Sequence, residues 1–205
     1  SCNAYGKTAG RLMFTAIGAR PTIHNKGNLK ARFPAIYVSN HTSQLDIWFG
    51  MWFCPFGVAG LSKKEIVKVP GLGWLYTLSG HPLIDRSNRE RAIATMNETA
   101  AFLNKHRFGL WIWPEGTRSR TGELQSFKKG FAHAALATRL PIVPIVVWNA
   151  AKILPIGEFR FHPGKLLVDV LPPIDTSHWS IETLDQHVQA VRDVFVQRLA
   201  AGAPA

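Results

Sequence analysis

A histidine and an aspartate stand five residues apart in the stretch IYVSNHTSQLDIWF, Ile36 to Phe49, separated only by small or uncharged residues. Together they could form a general base: an imidazole ordinarily titrates near pH 6.5, and a carboxylate on its far nitrogen fixes the tautomer and stabilises the imidazolium. Whether His41 and Asp46 meet depends on the backbone between them. In one strand, residues five apart are about 17 Å apart on opposite faces. In one helix they are separated by about 7.5 Å along the axis and about 140° around it. A strand-to-helix turn works: Ile36 to Ser39 end a buried strand, the chain turns at Thr42, and Ser43 caps the next helix. Ser43-Gln44-Leu45-Asp46 then reads as a capping box, with Asp46 pointing back over the helix N-terminus and His41 just outside it. The same residues also serve a bland reading, in which Asp46 only caps the helix and His41 is a hydrogen-bonded loop histidine. The catalytic reading needs an anion site and a place for an electrophile elsewhere in the chain.

Two stretches could supply the anion site. In LWIWPEGTRSR, Leu110 to Arg120, an apolar strand ends at Trp113, and Pro114, Glu115, Gly116 and Thr117 deliver Arg118 into a loop. In GHPLIDRSNRER, Gly80 to Arg91, another strand ends at Asp85 and is followed by Arg86. Glycine lets backbone approach a ligand, threonine offers a hydroxyl, and arginine grips phosphate with two parallel hydrogen bonds. Solvated arginines on surface turns, or an Asp85–Arg86 ion pair, would explain either stretch alone. Two strand ends that each deliver arginine favour one shared phosphate site.

The elements that must hold these residues alternate. Short β-branched runs at Ala35–Ser39, Phe56–Leu61, His81–Asp85, Phe108–Trp113 and Ile142–Trp148 are separated by helical patterns at Asn88–Lys105, Phe127–Thr138 and Ile181–Leu199. This predicts an α/β fold, a single domain over residues 1–205 with a largely parallel central sheet flanked by helices. The stretch Phe159–Leu171, with its Pro163-Gly164 turn, reads as a late hairpin. Open α/β sheets bind ligands at the carboxyl ends of their strands, where these loops lie.

Composition narrows the partner. Of 205 residues, 46% are hydrophobic, enough for a sizeable core, and the net charge of +11 calls for an anionic partner: nucleic acid, a phosphorylated small molecule or an anionic membrane. Cys2 and Cys54 suit neither a disulfide framework nor a metal site, so a reducing compartment is the simpler reading. The uncharged run from Ile47 to Leu61 contains Pro55 and three glycines and is too short for a membrane span. Trp48, Trp52 and Phe53 belong to an aromatic cluster that is either core or one wall of an apolar groove beside His41. Without an RNA-binding, zinc or helix-turn-helix signature, nucleic acid is the weaker partner.

Four blocks in order, NHTSQLD (Asn40–Asp46), GHPLIDR (Gly80–Arg86), PEGTRS (Pro114–Ser119) and VPIV (Val143–Val146), resemble the glycerolipid acyltransferase family. The likeness covers about Ile36 to Trp148 and is strongest to the bacterial 1-acyl-sn-glycerol-3-phosphate acyltransferases. Trp113 departs from it, standing where the family more often has phenylalanine. The resemblance implies transfer of a fatty acyl group from acyl-CoA or acyl carrier protein to the 2-hydroxyl of a lysophosphatidate, with no metal and no cofactor. It assigns base and orienter to His41 and Asp46, and the acceptor phosphate to Arg86, Glu115, Gly116, Thr117 and Arg118. Glu115 cannot donate to phosphate, so it is expected to position Arg118 or a backbone amide. Other acceptors within the family, such as another lysophospholipid, glycerol 3-phosphate or a lyso-ornithine lipid, fit the same motifs. The expected setting is the cytoplasmic face of the cell membrane, with Lys63, Lys64, Lys68, Lys128 and Lys129 drawn to anionic lipid and an N-terminal membrane segment upstream of Ser1.

Overall fold

The computed structural model describes residues 2–68, 73–74, 77, 81–85, 89–158 and 160–204. Its centre is a six-stranded sheet in the order β1-β8-β7-β2-β6-β3, formed by β1 (Ala19–His24), β2 (Ile36–Ser39), β3 (Val58–Gly60), β6 (Gly109–Ile112), β7 (Ile142–Trp148) and β8 (Gly164–Val170). The four strands β7, β2, β6 and β3 run parallel. β8 turns antiparallel to β7, and β1 follows β8 in parallel.

The period-2 alternation of strand side chains gives the sheet two apolar faces. Tyr37, Trp111, Val143, Ile145 and Val147 point to one, where they meet α1 (Cys2–Ala16) and α3 (Leu45–Phe53). Ile36, Val38, Leu110, Ile112, Ile142 and Val146 point to the other, covered by α4 (Arg89–His106), α5 (Gly130–Thr138) and α7 (Leu184–Ala200). Burial on both faces explains why these strands read as continuous apolar runs. Short helices α2 (Asn28–Ala31) and α6 (Ala150–Ile153) fill the connections after β1 and β7.

Three expectations change. Leu83–Ile84 (β5) forms no part of the central sheet and pairs instead with Ser62–Lys63 (β4) in a separate two-stranded ladder. The late hairpin does not form: Gly164–Val170 is one strand whose partners are β1 and β7, while Arg160–Pro163 stay outside the ladder and residue 159 lies outside the described residues. Pro163-Gly164 carried a local turn signal, but the partners come from distant segments of the chain. Third, α1 and β1 were not anticipated. The buried stripe of α1 runs through Gly6, Gly10 and Phe14, so glycine stands at two of its core positions, and β1 is an edge strand carrying Arg20 and Pro21.

Gly10 sets how closely α1 approaches α3. A Cβ there would stand 2.7 Å from the Trp48 carbonyl oxygen and 2.8 Å from Trp52 Cβ, both inside contact distance. Gly10→Ala must therefore part the two helices, and urea unfolding should show a loss of about 1–3 kcal/mol. Gly27→Ala, with nothing within 4 Å of the added carbon, serves as the control and should change stability far less.

Candidate active site

β2 and β6 are direct neighbours, so the loops that follow them leave the same end of the sheet side by side. One loop carries His41, the other Glu115, and residues 74 apart in sequence become bonded: the His41 backbone N–H donates to Glu115 Oε1 at 2.6 Å. Glu115 Oε2 accepts from the Gln125 backbone N–H at 3.0 Å. A third tie runs from the Ser119 N–H to the His41 carbonyl at 2.9 Å.

The strand-to-helix turn has the expected form. Asp46 Oδ2 lies 2.9 Å from His41 Nδ1 and also accepts the Thr42 and Ser43 backbone N–H groups at 2.8 and 2.9 Å. Ser43 Oγ in turn accepts from the Leu45 N–H at 3.1 Å and donates to the Leu154 carbonyl at 2.7 Å. The reciprocal capping is thus present, although α3 begins at Leu45, with Gln44 rather than Ser43 in the cap position. Oδ2 already accepts two backbone N–H groups, and an ionised carboxylate only accepts. The tautomer that makes the 2.9 Å His41 contact a hydrogen bond is therefore the one with the proton on Nδ1 and the lone pair on Nε2. The Asp46 side chain is 1% exposed and that of His41 12%, so the pair is shielded but reachable.

Side chains not singled out from sequence complete the support. Asn40 donates from Nδ2 to the Val147 carbonyl at 2.9 Å and accepts the Val147 N–H at Oδ1 at 2.8 Å, extending the β2–β7 ladder past its last strand residue. Trp113 stacks on the imidazole, ring centroids 4.9 Å apart at 26°. It also lies against α3 at Gly50, where an added Cβ would stand 3.5 Å from Trp113 Cζ2. A polar Asn ending a buried strand, and the tryptophan preceding Pro114, were the available signals. The pairing with Gln125, a backbone contact, left none.

The expected phosphate residues fare differently. Gly116 turns the loop with φ of 73°, a left-handed conformation that glycine adopts without strain, and its N–H donates to the Trp113 carbonyl. Thr117 is exposed. Arg118 is half-buried, and its Nη1 is buried with no hydrogen-bond partner among the described residues. Arg86 lies outside the described residues. Glu115 holds backbone amides of two loops, those of His41 and Gln125. Trp48, Trp52 and Phe53, expected either as core or as one wall of an acyl groove, are partly buried and pack against the core, and Trp113 stacks on the His41 ring. Of the surface lysines, Lys64 is paired with Asp85 and Lys129 with Asp185, each at 2.6 Å.

Site and scaffold together define a class: an α/β enzyme with a buried carboxylate–imidazole pair at the carboxyl end of a parallel strand and a basic loop on the neighbouring strand. A family model described as Acyltransferase matches residues 20–148. The chain is 42% identical over 199 residues to the 1-acyl-sn-glycerol-3-phosphate acyltransferase of Limnanthes douglasii, spanning 97% of this chain and 70% of that protein. To the protein of the same name in Escherichia coli (strain K12) it is 35% identical over 166 residues, 81% of this chain and 67% of the other. Its fold matches the crystal structure of PlsC, the 1-acyl-sn-glycerophosphate (LPA) acyltransferase from Thermotoga maritima, with a TM-score of 0.80 at 24% identity, over 98% of this chain and 79% of that one. The chain belongs to the acyltransferase family.

Burial pushes the Glu115 carboxyl above the ordinary glutamate value of 4.5, against the pull of the Gln125 and His41 amides. Folded Glu115 therefore holds its proton more tightly than the unfolded chain does, and stability falls as pH rises from 4.5 through the raised value. Unfolding measured across that window should show the wild type losing stability relative to Glu115→Gln as pH rises. A difference that grows in the other direction would mean that the amide bonds outweigh burial.

Proposed function

We propose that the enzyme transfers a fatty acyl group from acyl-CoA or acyl carrier protein to the 2-hydroxyl of 1-acyl-glycerol 3-phosphate, giving phosphatidic acid, at the cytoplasmic face of an anionic membrane. The observation that carries the chemistry is the single Asp46 oxygen shared by His41 Nδ1 and two backbone amides, which leaves Nε2 as a base of fixed orientation. The likeness to 1-acyl-sn-glycerol-3-phosphate acyltransferases supports the acceptor.

In this mechanism His41 Nε2 takes the proton of the acceptor hydroxyl as its oxygen attacks the thioester carbonyl carbon. The tetrahedral adduct collapses with cleavage of the carbon–sulfur bond, and the leaving thiolate takes the proton back from Nε2. The thioester is already activated, so the scheme requires no covalent acyl-enzyme. Asp46 balances the transient imidazolium, and Trp113 restrains the ring from one side. Glu115 acts as a positioning residue through the His41 backbone. Arg118, whose buried Nη1 has no hydrogen-bond partner among the described residues, receives the acceptor phosphate.

The deciding measurement is free-thiol release from palmitoyl-CoA against a panel of lyso-acceptors. Lysophosphatidate should be preferred, and His41→Ala should cut turnover by about 10² to 10⁴. Near wild-type turnover in a folded His41→Ala protein would refute the base assignment, and preference for another lyso-acceptor would move the enzyme elsewhere in its family. Arg118→Ala should raise the acceptor KM about tenfold or more, in line with loss of a charged hydrogen bond, while the acyl-CoA KM stays unchanged.

A further inference from the structure

A second basic site lies at the far end of α3. β1 runs antiparallel to β2 by way of β8 and β7, so the chain after β1 heads through Lys26 toward the end of the sheet where β2 begins, whereas the chain after β2 leaves through His41 the other way. Trp52 and Phe53 close the last turn of α3, while Asp46 opens its first. Between these elements and α1 is a cavity of about 720 Å³. Its cations are Lys7, Arg11, Lys26 and Lys30, its floor is aromatic, and no acidic side chain is among the described residues that line it.

Lys7 and Arg11 stand on α1, Lys30 on α2 and Lys26 in the turn before α2, so their concentration is a product of the tertiary structure. Lys7 is anchored: Nζ donates to the Cys54 and Trp52 carbonyls at 2.6 and 3.2 Å, capping α3, and stands 5.0 Å above the Phe56 ring. Burial lowers its ammonium below the usual lysine range, and the charges of Lys30 and Lys26 press the same way. Arg11, Lys26 and Lys30 complete the rim around this fixed charge. Apolar side chains continue outward from the same place. Phe56 lines the cavity and is 60% exposed, and Leu12, 64% exposed, lies one helical turn beyond the lining residue Thr8. A soluble phosphate has no use for that apolar border, whereas a lipid offers an anionic headgroup and an apolar body together.

We infer that this cavity seats the phosphate headgroup of an anionic phospholipid, with Leu12 and Phe56 entering the bilayer surface, and so docks the enzyme on its membrane. The inference rests on the membrane-attached reading above and names the face that makes contact. It assigns that role to α1 and the α2 approach instead of to Lys64 and Lys129, whose charges are paired.

Sedimentation with phosphatidylcholine vesicles, with and without phosphatidic acid, tests it on the whole chain. Wild type should bind only the anionic vesicles. Lys26→Ala/Lys30→Ala should bind them about thirtyfold more weakly, the loss expected for two lysines at an anionic surface. Lys64→Ala/Lys129→Ala should stay within about threefold of wild type. Lys7 is left in place because it caps α3, and Arg11→Gln gives an independent variant whose fold is checked, like the others, by circular dichroism. Equal binding by wild type and the Lys26/Lys30 variant would remove the site while leaving membrane attachment standing. Wild type that transfers acyl groups but binds no vesicle would remove membrane attachment and this site with it. Unchanged vesicle binding with a raised acyl-CoA KM would mean that the cavity takes the nucleotide of the donor, which also overturns the proposal.

Discussion

Asp46 Oδ2 is the atom on which the rest of the site depends. A chain leaving a parallel strand and entering a helix exposes amides that neither element satisfies. Here one carboxylate oxygen accepts two of them, from Thr42 and Ser43, and the imidazole N–H of His41 as well. The same three bonds that shape the turn set the tautomer of the ring. Ser43 extends the anchor to the Leu154 carbonyl, and Asn40 ties the preceding residue to Val147, so the histidine loop is held to β7 and to the end of α6 as well as to its own helix.

Glu115 does for the space between loops what Asp46 does within one. Two backbone N–H groups from separate loops converge on it, and an ionised carboxylate, which only accepts, is the side chain suited to bind both. Burial opposes its charge and the two amides favour it, yet the net displacement is upward. The opposition is the physical cost of burying a carboxylate to fix the His41 backbone. Both oxygens of this glutamate are occupied by backbone amides of the protein.

Much of this was legible in the residues. The spacing permitted a His41–Asp46 contact through a strand-to-helix turn, and the parallel strands followed from short apolar runs alternating with helical patterns. Illegible parts share a cause. α1 packs through Gly6 and Gly10, which carry no side chain to mark an apolar stripe; β1 is an edge strand with polar and proline residues; and the Gln125 contact with Glu115 is made by a backbone amide that any residue would present. The cavity at the end of α3 was hidden because Lys7 and Arg11 come from one helix while Lys26 precedes another and Lys30 lies in it, and no short sequence window contains both pairs.

By itself, then, the sequence determined a His41–Asp46 spacing that a strand-to-helix turn can close, the basic loop and the alternation of strand and helix, since each depends on residue type and short spacing. Tertiary structure decided which strands are neighbours. With β2 beside β6, the His41 loop meets Glu115; with β1 carried to the edge by β8, the cations after it gather beneath α1, at the opposite end from the histidine. Hydrogen-bond pairing between distant segments makes those choices. The local pattern that makes a strand does not say which strand it will lie against.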